Sequence, residues 1–524
     1  MMLDLLIKNG TVFDGRRENP PQAVCVGVRE GKIEYVGKAL RPAKQVLDAH
    51  GLYVSPGFID VQNHADTFWA LFDYPQQESM LLQGITTIAV GHSGASLAPL
   101  PTKEALKSTQ KWHALAGVNF NWLYFDEFLE ELSRHELGVN VASLVGHSTI
   151  KRGLIGDAVR LVTEQELKVL ERLLISSLKS GAWGLSFGLT YAHECNSAWE
   201  ELLRLARIIG KTGRLLSVQL RNYGSGILES LDEVIEIAKH ASARLKISHV
   251  KIEGSQNWGL FDEVIDRIER AHAAGLAISF DVYPYESTWS VLYTYLPKWA
   301  YEGGRVGLLS RLEQPFLRQR VINALRERQD SLGQLILAHT SSAHAVGKDI
   351  SRIARDQGTD PAEALVNILR SSNSDVIVFD NNLSNEQVNA LLYHPLSVIS
   401  TDGAGFPKDI GKISTNLVHP RCFGTMPNFL ARALQDKQIS PSEAIAKITS
   451  LPASLLGLYD RGVIARHNKA DLTVFNPSLL RDTASLVAPA MSPSGIQYVI
   501  VNGKLTVTDA GLTDTYAGQV LAAT

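Results

Sequence analysis

The sequence predicts an α/β fold: a closed (β/α)8 barrel joined to a small all-β unit that both chain ends share. Three observations predict it. From about residue 56 to residue 455, short apolar strands alternate with amphipathic helices. Both ends of the chain instead read as alternating strands broken by tight turns. Polar and titratable side chains collect where successive strands end: His64, His92, His147, Gln219, His249, Tyr283 and Asp402. That clustering marks the functional face of a TIM barrel.

The terminal unit comes first. LLIKNGTVFDG alternates apolar and polar residues around Asn9-Gly10, a hairpin signal, and AVCVGVREGKIEYVGKAL repeats the pattern around Glu30-Gly31. ADLTVFNP and GIQYVIVNGKLTVTDAG, which turns at Asn502-Gly503, have the same texture at the other end. Chain ends often meet at a surface, so residues 1–55 and 456–524 are expected to form one sheet unit.

Within 56–455 the strand candidates are LLQGITTIAVGH, NVASLVGHS, GAWGLSFGLTYA, RLLSVQLRN, RLKISHVKIEG and LAISFDVYPYE. Helix candidates with i, i+3, i+4 apolar spacing include EALKSTQKWHALA, TEQELKVLERLLISSLKSG, ESLDEVIEIAKHA and FDEVIDRIERAHAAG. Repeated strand-then-helix units call for parallel strands with crossover helices. The rhythm breaks from about 287 to 364, which reads as an insertion over the barrel mouth, a lid. Its helical RLEQPFLRQRVINALRERQ and its His339 and His344 belong there.

Bulk composition narrows the function. The 524 residues are 45% hydrophobic and 20% charged, ordinary for a globular chain with a large core. A net charge of −3 leaves no basic footprint for nucleic acid. The opening MMLDLLIKNGTVFDG has no basic segment followed by a long apolar run, and no stretch approaches the length of a bilayer span. Cys25, Cys195 and Cys422 are odd in number and scattered, which fits reduced thiols in a cytoplasm.

The chemistry-bearing motifs appear in order: PGFIDVQNHAD, QGITTIAVGHSGASLAPL, LVGHSTIK, ISHVK, DVYPYE, STDGAG, HPRCFGTMP and RGVIARHNKADLTVFNP. Together they resemble the N-acyl-D-amino-acid deacylase (D-aminoacylase) branch of the amidohydrolase superfamily, over nearly the whole chain. The resemblance implies that the shared all-β unit is a β-sandwich. It also implies hydrolysis of an amide by a zinc-bound water, on a small substrate carrying a carboxylate.

Three metal-ligand positions depart from that pattern. Gln62 stands where the family has the first histidine of His-x-His, with His64 kept. Ser93 stands at the cysteine position, and Gln219 at a further histidine position. His249 and Asp402 are retained. Hydroxyl and amide oxygens are weak replacements for thiolate and imidazole on zinc. Two arrangements follow: one zinc on His64, His249 and Asp402, or a metal-free centre in which Asp402 and the histidines move protons themselves. A metal-free hydrolase, an isomerase or lyase, and a non-catalytic binding homologue all stay open on this fold.

Asp402, between Thr401 and Gly403, resembles the family's acid/base, and Lys251 its substrate-carboxylate lysine. Tyr191, Tyr283 and Ser287 sit at strand ends where hydroxyls can donate to substrate. Arg421 can clamp a carboxylate with two hydrogen bonds. His147 is expected to be structural, and Cys195 and Cys422 inert.

Overall fold

The computed structural model describes residues 2–109, 120–327, 332–414 and 416–524. Eight short parallel strands form the barrel: Phe58–Asp60, Ile85–Val90, Asn140–Ser143 continued by Val145–Gly146, Gly184–Gly188, Leu215–Gln219, Arg244–Ile247, Ile278–Val282 and Ser397–Ile399. Adjacent staves pair in register, for example Leu216 with Leu245 and Ile247 with Phe280. The ring closes just beyond the strand ends, where Asn63 and Gly403 form a parallel bridge and the His64 amide donates to the Gly403 carbonyl at 2.7 Å.

The staves are buried on both sides, which is why they read as near-continuous apolar runs rather than strict alternation. The helices between them carry the amphipathic stripe that the sequence shows. Glu164–Lys179, for instance, opens on a Thr163/Glu166 capping box and buries Leu167, Leu170, Leu174 and Leu178. The expected helix at EALKSTQKWHALA is observed as Lys103–Leu106; residues 110–119 lie outside the described residues.

Strands from both ends share one seven-stranded sheet, in which Leu472–Phe475 lies between Ile496–Val501 and Tyr53–Pro56. A four-stranded sheet of Leu3–Lys8, Cys25–Arg29, Lys32–Gly37 and Ala43–Asp48 faces it across a core of Leu5, Val26, Val28, Leu472, Val474 and Ile500. The chain's last strand, Val520–Leu521, leaves this unit and pairs in parallel with Val141–Ala142 of the barrel.

Between the seventh and eighth staves stands the inserted unit. It holds an antiparallel sheet, Thr288–Val291, Ile336–His339 and Ile377–Asp380, with its own apolar core around Leu308, Leu312, Val321, Leu337 and Leu365. The third strand carries the unit past residue 364, because it is the partner both other strands need. The stretch RLEQPFLRQRVINALRERQ spans the end of the helix Gly304–Glu313 and all of Pro315–Arg326, and 328–331 lie outside the described residues. His339 pairs with Asp375 at 3.4 Å, and neither it nor His344 lines the barrel cavity.

Candidate active site

The barrel mouth opens into a cavity of about 590 Å³. His64, Ser93, Tyr191, Gln219, His249, Lys251, Tyr283, Asp402 and Arg421 all line it. Gln62 lies just beneath, fully buried, with its amide turned inward. Ser287 is the exception: its hydroxyl meets His419 Nε2 at 2.8 Å and it does not line the cavity. The reason is local. His419 Nδ1 accepts the Arg421 amide at 3.0 Å, so its remaining N–H is left to donate to Ser287. Ser287 therefore steadies the loop that carries Arg421. His92 is also buried away from the cavity, with Nδ1 on Ser217 Oγ at 3.1 Å.

Backbone geometry presents the key side chains. Ser93, His249 and Asp402 have φ of 54°, 38° and 45°, left-handed conformations that non-glycine residues rarely adopt. Each sits at or just past a strand end, where the turn swings the side chain into the mouth. Asp60 holds the eighth stave in place for this. Its carboxylate takes the Thr401 amide at 2.9 Å and the Thr401 hydroxyl at 2.5 Å, one residue before Asp402. Burial pushes the Asp60 carboxyl up to about 6 despite those bonds.

Asp402 is the electrostatic hub. Its Oδ1 faces His64 Nε2 at 3.1 Å, and its Oδ2 takes Arg421 Nη2 at 2.8 Å. Burial alone would raise its pKa, but the Arg421 guanidinium and its other neighbours outweigh burial and hold it well below the usual carboxylate range. Asp402 is thus ionised, and an ionised carboxylate only accepts, so the proton of a neutral His64 lies on Nε2. Lys251 Nζ is 2.8 Å from His249 Nδ1 and 4.2 Å above the Tyr223 ring. An ammonium only donates, so His249 Nδ1 accepts and its proton lies on Nε2. Burial, reinforced by the Lys251 charge, keeps His249 well below the ordinary histidine value, and so neutral.

Two donors at this cavity have no hydrogen-bond partner among the described residues: the Tyr283 hydroxyl and Arg421 Nε. The Arg421 guanidinium stacks over Tyr283 at 4.7 Å and near Trp289 at 5.7 Å, so its plane is fixed. A buried donor left unpaired costs about 1–3 kcal/mol, and such a cost is commonly tolerated where a ligand is to be received.

The donor set does not fit a zinc ion. Among the described residues no three His, Cys, Asp or Glu side chains converge where they could hold a metal ion. The expected His64, His249 and Asp402 triad has other partners: His64 Nε2 lies on Asp402, His249 Nδ1 on Lys251, and both Asp402 oxygens are taken. Gln62, Ser93 and Gln219 offer only neutral oxygens at the remaining positions.

Elsewhere in the barrel His147 lies between Glu194 and Glu201, 2.8 Å from each, outside the cavity. Burial pushes the Cys422 thiol up to about 12, so it is no nucleophile at neutral pH. Sequence reasoning missed Lys246, which is wholly buried below the cavity floor. The signal was present: Lys246 and Ser248 share one strand face within the apolar run RLKISHV.

An eight-stave barrel of this kind, with a β unit built from both ends and its site at the strand ends, defines a class, and sequence comparison agrees with it. The amidohydrolase family profile matches residues 45–507, and the chain belongs to that family. It is 30% identical to an N-acyl-D-aspartate deacylase of Alcaligenes xylosoxydans xylosoxydans, over 99% of this chain and 95% of that protein. It is equally 30% identical to that organism's N-acyl-D-glutamate deacylase, over 96% and 93%. The crystal structure of a Bordetella bronchiseptica N-acyl-D-glutamate deacylase superposes with a TM-score of 0.84 at 27% identity, covering all of both chains. That enzyme is complexed with zinc and a phosphonate mimic of the tetrahedral intermediate. The chain's place within the family is therefore the N-acyl-D-amino-acid deacylase branch, whose named members are hydrolases of carbon–nitrogen bonds other than peptide bonds. No helix among the described residues is long and apolar enough to cross a membrane.

Proposed function

We propose that this chain hydrolyses the amide of a small N-acyl amino acid, of D configuration as in its named relatives, in the cytoplasm. The observation that carries the reading is the meeting of Lys251, Arg421 Nε and the Tyr283 hydroxyl at one cavity with the Asp402–His64 pair. The first three are donors suited to an anion; the pair is suited to moving a proton.

Lys251 and Arg421 take the substrate carboxylate, and charge-assisted bonds make this the anchoring contact. The neutral His249 presents its Nε2–H, and Tyr283 its O–H, to the carbonyl oxygen as negative charge develops there. The Asp402–His64 pair takes a proton from the attacking water as the new C–O bond forms. It returns that proton to the leaving nitrogen as the C–N bond breaks, giving a carboxylic acid and a free amino acid. Asp402 acts through its charge: it orients His64 and stabilises the ring once protonated. Gln219, Ser93 and Tyr191 shape the pocket around the acyl group.

The zinc complex of the Bordetella bronchiseptica enzyme favours a metal, and the alternative reading places one zinc on His64, His249 and Asp402. That reading requires His249 to give up Lys251 and Asp402 to give up Arg421 or His64, so no step above runs through a metal.

Steady-state assays on paired N-acyl-D- and N-acyl-L-amino acids, with matched carboxamides, test the proposal. Turnover is expected for the D acids, with kcat/KM for the carboxamides lower by about 10- to 100-fold, the worth of a lost charge-assisted bond. Lys251→Met is expected to erase that preference by raising KM for the acids. No turnover on either series, or no preference for the carboxylate, refutes it.

A further inference from the structure

Beneath the cavity floor lies a charged group that the chemistry above does not use. Lys246, on the stave Arg244–Ile247, is wholly buried. Its ammonium has three acceptors: Asp281 Oδ1 at 2.6 Å, Gln62 Oε1 at 2.5 Å and, at 3.4 Å, Ser248 Oγ. Those match its three donor hydrogens. Asp281 spends its other oxygen on the Ser400 hydroxyl at 2.5 Å. Two other staves, through Gln62 and Asp281, thus meet this lysine directly, and a third, through Ser400, reaches it by way of Asp281.

This cation fixes the glutamine above it. With Oε1 held by an ammonium, the Gln62 amide must turn its NH₂ group the other way. That group lies 3.5 Å from both Asp402 Oδ1 and Ser93 Oγ. Gln62 therefore stands between a cation below and the Asp402 carboxylate above. A dication brought to this place meets N–H groups and a fixed positive charge, where it needs lone pairs. The arrangement is also self-consistent without one, since two cations, Lys246 and Arg421, balance two carboxylates, Asp281 and Asp402.

We infer that Lys246 is the built-in cation of this centre, standing in for the metal ion of the zinc-bound relatives, so that the native chain works without a stoichiometric metal. Lys246 is a positioning residue: it touches Gln62 and Asp281, not substrate. The inference rests on the proposed hydrolysis only where turnover is measured.

The test uses the full chain. Wild-type protein is incubated with excess zinc, desalted and submitted to elemental analysis, and its unfolding temperature is compared with and without zinc. Expected are zinc far below one per chain and no stabilisation. Turnover of the N-acyl substrate is expected to be unchanged by a chelator. Zinc near one per chain with a raised unfolding temperature, or activity lost to chelator and restored by zinc, overturns the inference. A second arm separates the lysine from its surroundings. Gln62→His/Lys246→Met is expected to bind zinc at least about tenfold more tightly than Gln62→His, because a fixed unit charge at ligand distance repels a dication. Should Lys246→Met strand Asp281 and unfold the chain, Asp281→Asn is added to remove both charges together. Equal zinc affinity with and without Lys246 overturns the inference. The zinc and unfolding measurements need no substrate, so they decide the role of Lys246 even in a chain that hydrolyses nothing.

Discussion

His147 and His64 are both buried in the barrel and both lie against carboxylates, but their surroundings differ in where they lead. Both ring nitrogens of His147 are taken at 2.8 Å, one by Glu194 and one by Glu201. Lys151 joins the same group, on Glu201 and on Ser197. The cluster ties the fourth stave's loop to two helices and stays out of the cavity. His64 instead shares Asp402 with Arg421 at the open mouth, beside donors that have nothing to bond. The same residue types thus build a brace in one place and the proposed reaction centre in the other. What separates them is access to a cavity: Glu194 Oε2 in the brace also lacks a partner among the described residues, but it lies away from the mouth, whereas the unpartnered donors beside His64 line it.

The contrast is broken most severely at Asp402. Asp402→Asn removes the charge that orients His64 and stabilises its protonated ring. We expect kcat to fall by about 10²- to 10⁴-fold, the usual worth of a positioned acid/base system. Steady-state kinetics on the preferred N-acyl substrate reads it. Unchanged kcat would return Asp402 to the class of helix-and-loop braces.

Glu201→Gln attacks the other region. It leaves His147 and Lys151 without their shared buried carboxylate, and breaking such a pair costs about 3–5 kcal/mol. Denaturant unfolding is expected to show that loss, with KM unchanged for the protein that remains folded. A large change in KM would join the two regions and remove the contrast.

The brace also sets a pH window. Burial opposes the charged form of His147, but Glu194 and Glu201 outweigh it and raise its pKa above the ordinary 6.5. A raised histidine contributes stability that is complete below about 6.5, its unfolded value, and is lost as pH rises through the folded value. Burial likewise opposes the Glu201 carboxylate, but His147 and Lys151 bring it down to about 2. That contribution is complete above the unfolded value of 4.5 and is lost as pH falls toward 2. Stability from this cluster is therefore greatest between about 4.5 and 6.5. Unfolding curves across pH should flatten on both sides in Glu201→Gln.

The barrel and the shared terminal sheet were legible because each is written in local pattern. Apolar runs of strand length, hairpin turns at Asn9-Gly10 and Asn502-Gly503, and capped amphipathic helices do not depend on distant partners. That the candidate residues would gather at one cavity was legible for the same reason, since strand ends can be counted. The partners at the site were not. Ser287 is satisfied by His419, 132 residues away, and no local signal announces it. The spacing of Lys246 and Ser248 puts them on one strand face, but it cannot show that the lysine's other acceptors, Gln62 and Asp281, come from different staves. The insertion runs further than its break in rhythm suggests, because its last strand, Ile377–Asp380, pairs only with strands inside the same unit.

The smallest change separates the two regions most cleanly. The Tyr283 hydroxyl is buried, faces the cavity and has no partner among the described residues. In a brace, such a group would be a defect, and removing it would leave stability unchanged or slightly improved. In a reaction centre, the same group meets its partner only when the carbonyl oxygen gains charge. Tyr283→Phe is therefore expected to leave the unfolding free energy unchanged or to raise it, by no more than about 1–3 kcal/mol. It should lower kcat by about tenfold or more, with little effect on KM, because the lost bond forms mainly in the transition state. A fall in stability with kcat intact would mean that the hydroxyl finds its partner inside the folded chain, and the cavity would lose one of its two waiting donors.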